Sequence, residues 1–545
     1  MTMRETLVIA VPALPAIAAA VIAMARPAGE QSSRWAVRAA AIAFVVAVVV
    51  AVVVAADGPV AAVIGGGEGD AIVGLHATRV TAVLGLLTTG VGLVVQSFAS
   101  RALQGDLRGR RFFVLASLLT AATTSVAFAA TLGLLCASWI LAGVALAALV
   151  AHRATWGPAP RSARRTRRSL QVGDGALLVA TVLAVVSVGE VDLRSPADAA
   201  RELADASIPV LGGNVLAVVA VLLAVATISR SALVPLHRWL PATIAAPTPV
   251  SALLHAGVVN GAGVLLVRLA PIFGSSAAAT HVAFAAGAVT ACYATTVMLV
   301  RSDVKGNLAW STAGQMGFMI VQVAIGAFGA ALLHIIGHGM YKAALFLGSG
   351  SAVTAHLRHD QRPAPHLVAR SVRLGVALLV PAAALWAAYL VIDPHLSTAA
   401  YVLVTVFAWA TAARAADGWL RSAPLRPAPA VATASLGAAA GVFAYLGGLT
   451  ALETFLAPDL PEAVAEPVSA ALLVATLAAV ALGVAVGWLA PGERMRRLRS
   501  RVYAFVLTSA PVAPLTTRGS STGVAPVPAS RRQPVGAPAR SIRSL

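Results

Sequence analysis

The sequence predicts an all-α polytopic membrane protein, and three observations carry that prediction. Hydrophobic residues fill 59% of its 545 positions and charged residues only 11%, with a mean hydropathy of +0.85, which excludes an ordinary soluble enzyme. Apolar runs of the roughly 20 residues that a helix needs to cross a bilayer follow one another from Leu7 to Ala490. The formal net charge of +19 lies in short patches between alternate runs. That is a topology signal of a chain in a lipid bilayer, and it implies no nucleic-acid partner.

About 15 spans satisfy the pattern. They begin near Leu7, Val37, Val80, Phe112, Leu132, Ala176, Ile208, Val250, Val282, Leu308, Ala330, Leu374, Thr398, Val431 and Val468. Arg26, Arg34 and Arg38 follow the first run, Arg101, Arg108, Arg110 and Arg111 the third, and Arg153 and Arg161 to Arg168 the fifth. The alternate joins are acidic or neutral, the acidic ones carrying Asp57, Glu68 and Asp70; Glu190 to Asp205; and Glu453, Asp459, Glu462 and Glu466. Positive charge marks the cytoplasmic side, so an odd count puts the N-terminus outside and the C-terminus in the cytoplasm of a bacterial plasma membrane.

Residues 1–490 therefore form the transmembrane domain. The Pro- and Arg-rich stretch from Pro158 to Arg168 reads as a cytoplasmic loop. The tail, 491–545, opens with Arg494, Arg496, Arg497, Arg499 and Arg501 and turns Pro-, Ser- and Thr-rich from Pro511, a composition that builds no packed core. Cys136 and Cys292 sit far apart in apolar runs, with no disulfide framework and no zinc or iron–sulfur spacing. No cofactor is expected in this chain.

Lysine usage singles out two positions. Of 40 Lys and Arg residues only Lys305 and Lys342 are lysine. Arg never gives up its proton in a protein, whereas a buried Lys can, so a position that stays Lys in an Arg-biased chain is a candidate proton carrier. Lys342 lies inside an apolar run with His334 and His338, at intervals of four. That spacing stacks the three on one helix face. Each costs at least about 2.5–3.5 kcal/mol at mid-bilayer, so the row faces protein. A proton relay is the leading reading. A polar seam between helices and a zinc site are the alternatives, the last lacking a third ligand nearby.

Upstream, Pro235, Pro241, Pro247 and Pro249 break the helix that follows Arg230 and surround His237 and Trp239. Broken helices at membrane depth are tolerated where they line a cavity or lie buried in protein. His255 follows in the next helix, either as a further titratable group or as a satisfied core histidine.

These residues carry a family resemblance. Leu236-His-Arg-Trp-Leu-Pro241, Ala246-Pro-Thr-Pro-Val-Ser-Ala-Leu-Leu-His-Ala-Gly257, Asp303-Val-Lys-Gly-Asn-Leu-Ala-Trp310 and His334 to Ser351 resemble the core of the proton-translocating subunits of respiratory complex I and Mrp-type antiporters. The likeness spans about 112–351. It implies an antiporter-like fold with an inverted helical repeat. His255-Ala-Gly-Val-Val-Asn-Gly-Ala-Gly-Val-Leu-Leu-Val-Arg268 and Gln315 to Gln322 are more similar to the DabB membrane subunits of inorganic-carbon accumulation systems. That resemblance implies a cytoplasmic partner, a DabA-like zinc protein related to β-carbonic anhydrases, so zinc belongs to the partner. It also implies a coupling role, in which protons or sodium ions drive CO2 hydration to bicarbonate.

Carried over by position, Lys342, His338, His334, His255 and Lys305 fall on the family's charged or histidine sites and form the expected proton pathway. Lys305 is equally well explained as a local partner of Asp303. Two positions depart from the family: Ile140 replaces the carboxylate after Trp139, and Arg230 replaces a lysine. Arg230, with His237 beside it, is expected to act as a fixed charge at the broken helix, and the N-terminal half is expected to lack a titratable ion pair. The alternatives are a subunit of a Mrp-type antiporter or of a respiratory or hydrogenase complex, and a membrane scaffold whose proton path has decayed.

Overall fold

The structure is a computed structural model, and it describes residues 1–64, 73–153, 157–208, 213–301, 303–359, 368–392, 398–422, 426–461, 468, 470–488, 501 and 504. The basic Pro-rich tail lies outside them, apart from Arg501 and Ala504.

The backbone of a lipid-embedded chain must satisfy its own N–H and C=O groups, so apolar runs become helices. The first two are α1 (Met3–Ala25) and α2 (Gly29–Asp57). An antiparallel hairpin, β1 (Val60–Ile64) and β2 (Val73–Ala77), leads into α3 (Arg79–Ala102), α4 (Gly109–Phe128), α5 (Leu132–Val150) and α6 (Pro158–Val188). A short surface helix, α7 (Pro196–Asp205), and a minimal hairpin, β3 (Ser207–Ile208) and β4 (Gly213–Asn214), precede α8 (Val215–Arg230). Broken segments follow: α9 (Trp239–Ala242), α10 (Thr248–Ala256), α11 (Gly261–Arg268) and α12 (Ala270–Phe273). Seven helices complete the described chain: α13 (Ala277–Val300), α14 (Val304–Ala324), α15 (Phe328–His359), α16 (Arg370–Val391), α17 (Thr398–Ser422), α18 (Pro427–Leu456) and α19 (Ala470–Trp488).

Twelve of these helical stretches are long and apolar enough to cross a membrane. The expected 15 is not established: α8 is only 16 residues, and α14 and α19 fall outside the twelve although each is helical where a span was expected. Three expectations are corrected. Pro158 to Arg168 is no loop but the opening of α6, because Pro158 starts a helix well and Ala and Arg continue it. The span expected from Ile208 begins at Val215, where the Asn214 side chain caps the Ala217 N–H. Glu453 lies within α18, against Gly329, and not in a join.

The break after α8 is stitched by polar contacts. Ser231 Oγ donates to the Val259 carbonyl at 2.7 Å, Trp239 Nε1 to the Ser229 carbonyl at 3.0 Å, and the Val234 N–H to Thr290 Oγ1 at 2.8 Å. A second break separates α10 from α11, where Asn260 Nδ2 donates to the Ala256 carbonyl at 2.8 Å.

Close backbone approach fixes α13 against α14. A Cβ on Gly287 would lie 2.7 Å from the Gly317 carbonyl, and one on Gly317 would overlap Gly287 and meet Ala291 N at 2.7 Å. The polar face of α14 is thereby held toward α15. Gly317→Leu is expected to lower stability by about 1–3 kcal/mol through overpacking, read as an earlier thermal transition of the detergent-solubilised chain, whereas Gly348→Ala, inside α15 with open space around it, leaves the transition unchanged or raises it slightly, because alanine favours the helix.

Candidate functional site

The interval of four places His334, His338 and Lys342 on one face of α15, and the structure brings a matching face of α14 against it. Lys342 is 1% exposed, and its Nζ donates to Ser311 Oγ at 2.5 Å and to the Leu308 carbonyl at 3.5 Å. Gln322 Oε1 lies 3.2 Å from His334 Nδ1. The two helices run antiparallel, so Gln315, one turn from Ser311, lies level with His338. Gln315 Oε1 and both ring nitrogens of the buried His338 have no hydrogen-bond partner among the described residues. The rings of His334 and His338 have centroids 5.8 Å apart. Ser311, Gln315 and Gln322 therefore belong to the site and were missed as site residues; their spacing along one helical face was the available signal.

His255, on α10, joins the row from the side. Its ring stacks on Phe346 at 4.3 Å, one turn along α15 from Lys342, and its Nδ1 is buried without a described partner. Lys305 stands one turn before Leu308, the residue whose carbonyl receives Lys342. The local pairing considered for Lys305 goes elsewhere: Asp303 caps the Gly306 N–H at 2.7 Å and pairs with Arg301 at 3.2 Å. His237 stays apart from the row, its ring set against Tyr293 and Trp310 at 5.3 and 5.8 Å.

The N-terminal half holds the main surprise. Arg230, 3% exposed, reaches Asp174 Oδ1 on α6 at 2.8 Å and the Trp139 carbonyl at 2.9 Å, and its guanidinium lies 4.0 Å from the Trp139 ring. The expected loss of a buried ion pair is thus corrected, because the carboxylate comes from a different helix. Asp174 stands between Gly173 and Gly175 in α6, and Gly143 lets it approach: a Cβ there would meet Asp174 Oδ2 at 3.2 Å. An acidic residue inside an apolar run was the signal for it.

A cavity of about 40 Å3 lies beside this pair, bounded by Arg230, Trp139, Asn260, Thr88, Thr123 and Ile335. It has room for a few waters and separates the ion pair from the α15 row. Among the described residues no three His, Cys, Asp or Glu side chains come together as metal ligands.

A fold of broken helices around buried charges is the architecture of ion-translocating membrane subunits. The family model described as NADH:quinone oxidoreductase/Mrp antiporter, TM, matches residues 129–413, just over half of the chain, and the chain belongs to that family. It is 36% identical over 289 residues to the probable inorganic carbon transporter subunit DabB1 of Halothiobacillus neapolitanus, covering 53% of this chain and 51% of that one. It is 33% identical over 281 residues to the probable inorganic carbon transporter subunit DabB of Bacillus subtilis, 52% and 54% of the two chains. The match to chloroplastic NAD(P)H-quinone oxidoreductase subunit 5 of Zygnema circumcarinatum is 34% over 284 residues, 52% of this chain and 40% of that one. The chain thus matches about half the length of these relatives or less. In fold it is similar to a chain of the Mrp complex from Dietzia sp. DQ12-45-1b, with TM-score 0.61, 23% identity and coverage of 92% of this chain and 60% of that one.

Breaking a buried ion pair from one side strands a charge. Asp174→Ala is expected to destabilise the chain by about 3–5 kcal/mol, while the apolar pair Asp174→Leu with Arg230→Met recovers most of that loss. Thermal melting of the single and double variants measures the coupling, and a double variant as unstable as the sum of its singles would contradict the pairing.

Proposed function

We propose that this chain is the membrane coupling subunit of an energy-dependent inorganic-carbon accumulation system, and that it conducts cations, most simply protons, to drive CO2 hydration in a zinc-containing cytoplasmic partner of the DabA type. The observation that carries the reading is the enclosed Lys342 row, a titratable group in apolar surroundings with a polar face opposite every position of it. The similarity to DabB subunits supports the choice of inorganic carbon.

The physical logic is linkage. CO2 hydration releases a proton, and a membrane path biases that reaction only if the partner's site and the path share protonation or conformational states. In this reading Lys342 carries the proton across the low-dielectric centre, and His338 and His334 pass it along the α15 face. His255 sets the charge beside Lys342, and Lys305 meets the proton at the start of α14. Arg230 holds a positive charge that never moves, so Asp174 is the group of that pair able to change protonation state. The exposed arginines at the start of α6 lie on the cytoplasmic side of a bacterial plasma membrane, with the N-terminus outside and the C-terminus inside.

A second reading, a subunit of a Mrp-type antiporter or of a respiratory or hydrogenase complex, draws on the similarity to NAD(P)H-quinone oxidoreductase subunit 5. Expression with neighbouring gene products in a host lacking carbonic anhydrase separates the two. The carbon reading predicts growth in ambient air that needs a zinc-protein partner, is abolished by a protonophore, and falls at least about tenfold with Lys342→Ala, as for loss of a proton-transfer group. Failure to rescue, with cation/proton exchange in vesicles, assigns the chain to the antiporter reading. Rescue by Lys342→Ala would leave only a scaffold.

A further inference from the structure

The opening turns of α6 form a surface that the proposed path does not use. Counted inward from Val188, the roughly 20 residues that cross the hydrocarbon end near Ser169. Pro158 to Arg168 therefore projects about 15 Å further along the helix axis, past a headgroup layer of about 5–8 Å. The projection is held by protein. Ala159, Ala163 and Thr166 are buried, α6 packs on α8 and on the broken segment from Trp239 to Ala245, and Ser229 Oγ donates to the Ser169 carbonyl at 2.6 Å.

Its other face is a stripe of charge. Arg161, Arg164, Arg165 and Arg168 stand at i, i+3, i+4 and i+7, and all four are exposed. Among the described residues none of them has an acidic partner. Arginines at these intervals repel one another, and at the N-terminal end of a helix they also oppose its dipole. Orienting the chain in the membrane asks for basic residues in this join, but not for stacking them in a fixed helix that they destabilise. An opposing surface of negative charge relieves both repulsions.

The neighbouring join adds an apolar contact. Leu107, in the turn between α3 and α4, is fully exposed. Hydrogen bonds fix that turn: the Arg108 N–H donates to Asp106 Oδ1 at 2.7 Å, Asp106 Oδ2 lies 3.1 Å from His152 Nε2, and Arg108 Nη1 donates to the His152 carbonyl at 3.1 Å. His152 ends α5, so the turn is tied to the join from which α6 starts. Arg153, in the same join, stands within electrostatic reach of Lys305 at the start of α14.

We propose that the opening of α6, with Leu107 beside it, is the docking surface for an acidic face of a soluble cytoplasmic protein. Other occupants fit worse. The chain's own tail after Pro491 is strongly basic, as is the same face of a second copy, and anionic headgroups that reach Arg168 end short of Arg161, about 12 Å from the hydrocarbon. The surface deepens the coupling reading and rests on it for the side of the membrane and for the presence of a partner, which would sit next to Lys305.

Binding of each soluble product of the neighbouring genes to the full chain in lipid nanodiscs tests the surface without reference to transport. Arg161→Glu with Arg165→Glu is expected to weaken binding at least about tenfold, because it sets like charges against each other. The same change leaves the thermal transition in place or raises it, because acidic residues suit a helix N-terminus. Added salt weakens native binding, Leu107→Ser weakens it several-fold, and Arg426→Glu, at an exposed arginine where α18 begins, leaves it unchanged. A zinc protein that binds in this way supports the surface and the carbon reading together; a product without zinc that does so supports the surface and contradicts the carbon reading. Native binding by no soluble product overturns the surface. Binding that survives the double reversal also overturns it and leaves the carbon reading to the growth test. A reversal that spares binding but sheds phosphatidylglycerol from the purified chain overturns it in favour of a lipid contact.

Discussion

A charge at bilayer depth must be wrapped in protein, at a cost of at least about 2.5–3.5 kcal/mol if it is not, and the architecture around α15 follows from that constraint. Lys342 sits where α14 presents Ser311 Oγ and the Leu308 carbonyl. The close glycine contact of α13 with α14 holds that face in place. The α10–α11 break belongs to the same arrangement, because it brings His255 to the side of the row and frees Asn260 to line a cavity.

The two halves meet the constraint differently. In the C-terminal half the charge is a lysine, an amine that can release its proton, and its neighbours are histidines and amides. In the N-terminal half it is Arg230, whose proton is permanent, clamped by Asp174, the Trp139 carbonyl and the Trp139 ring. A guanidinium clamped by a carboxylate keeps its charge in place, whereas a buried lysine is a group that can give its proton up.

Much of this was legible in the sequence. The apolar runs located the helices, and the four-residue interval of His334, His338 and Lys342 correctly put them on one face. The prolines from Pro235 to Pro249 marked the broken segment. What escaped was of two kinds. Helix ends escaped where the local signal was ambiguous: Pro158 to Arg168 has loop-like composition yet starts α6, and Glu453 looked like the edge of an acidic join yet lies in α18. Partners from distant helices escaped because periodicity is a property of one helix. Nothing within α5 or α8 announces that Asp174 on α6 meets Arg230, and nothing in α15 names Ser311 as the acceptor for Lys342.

The central claim is that Lys342 moves a proton and does not merely hold a charge. The most direct measurement is proton uptake by the full chain, with its partner subunits, in vesicles under an imposed potential, comparing the native chain with Lys342→Arg, which keeps the positive charge and removes the exchangeable one. The account predicts that uptake is lost in the arginine variant while its thermal transition stays close to that of the native chain. Uptake at the native rate in a folded Lys342→Arg chain would contradict it.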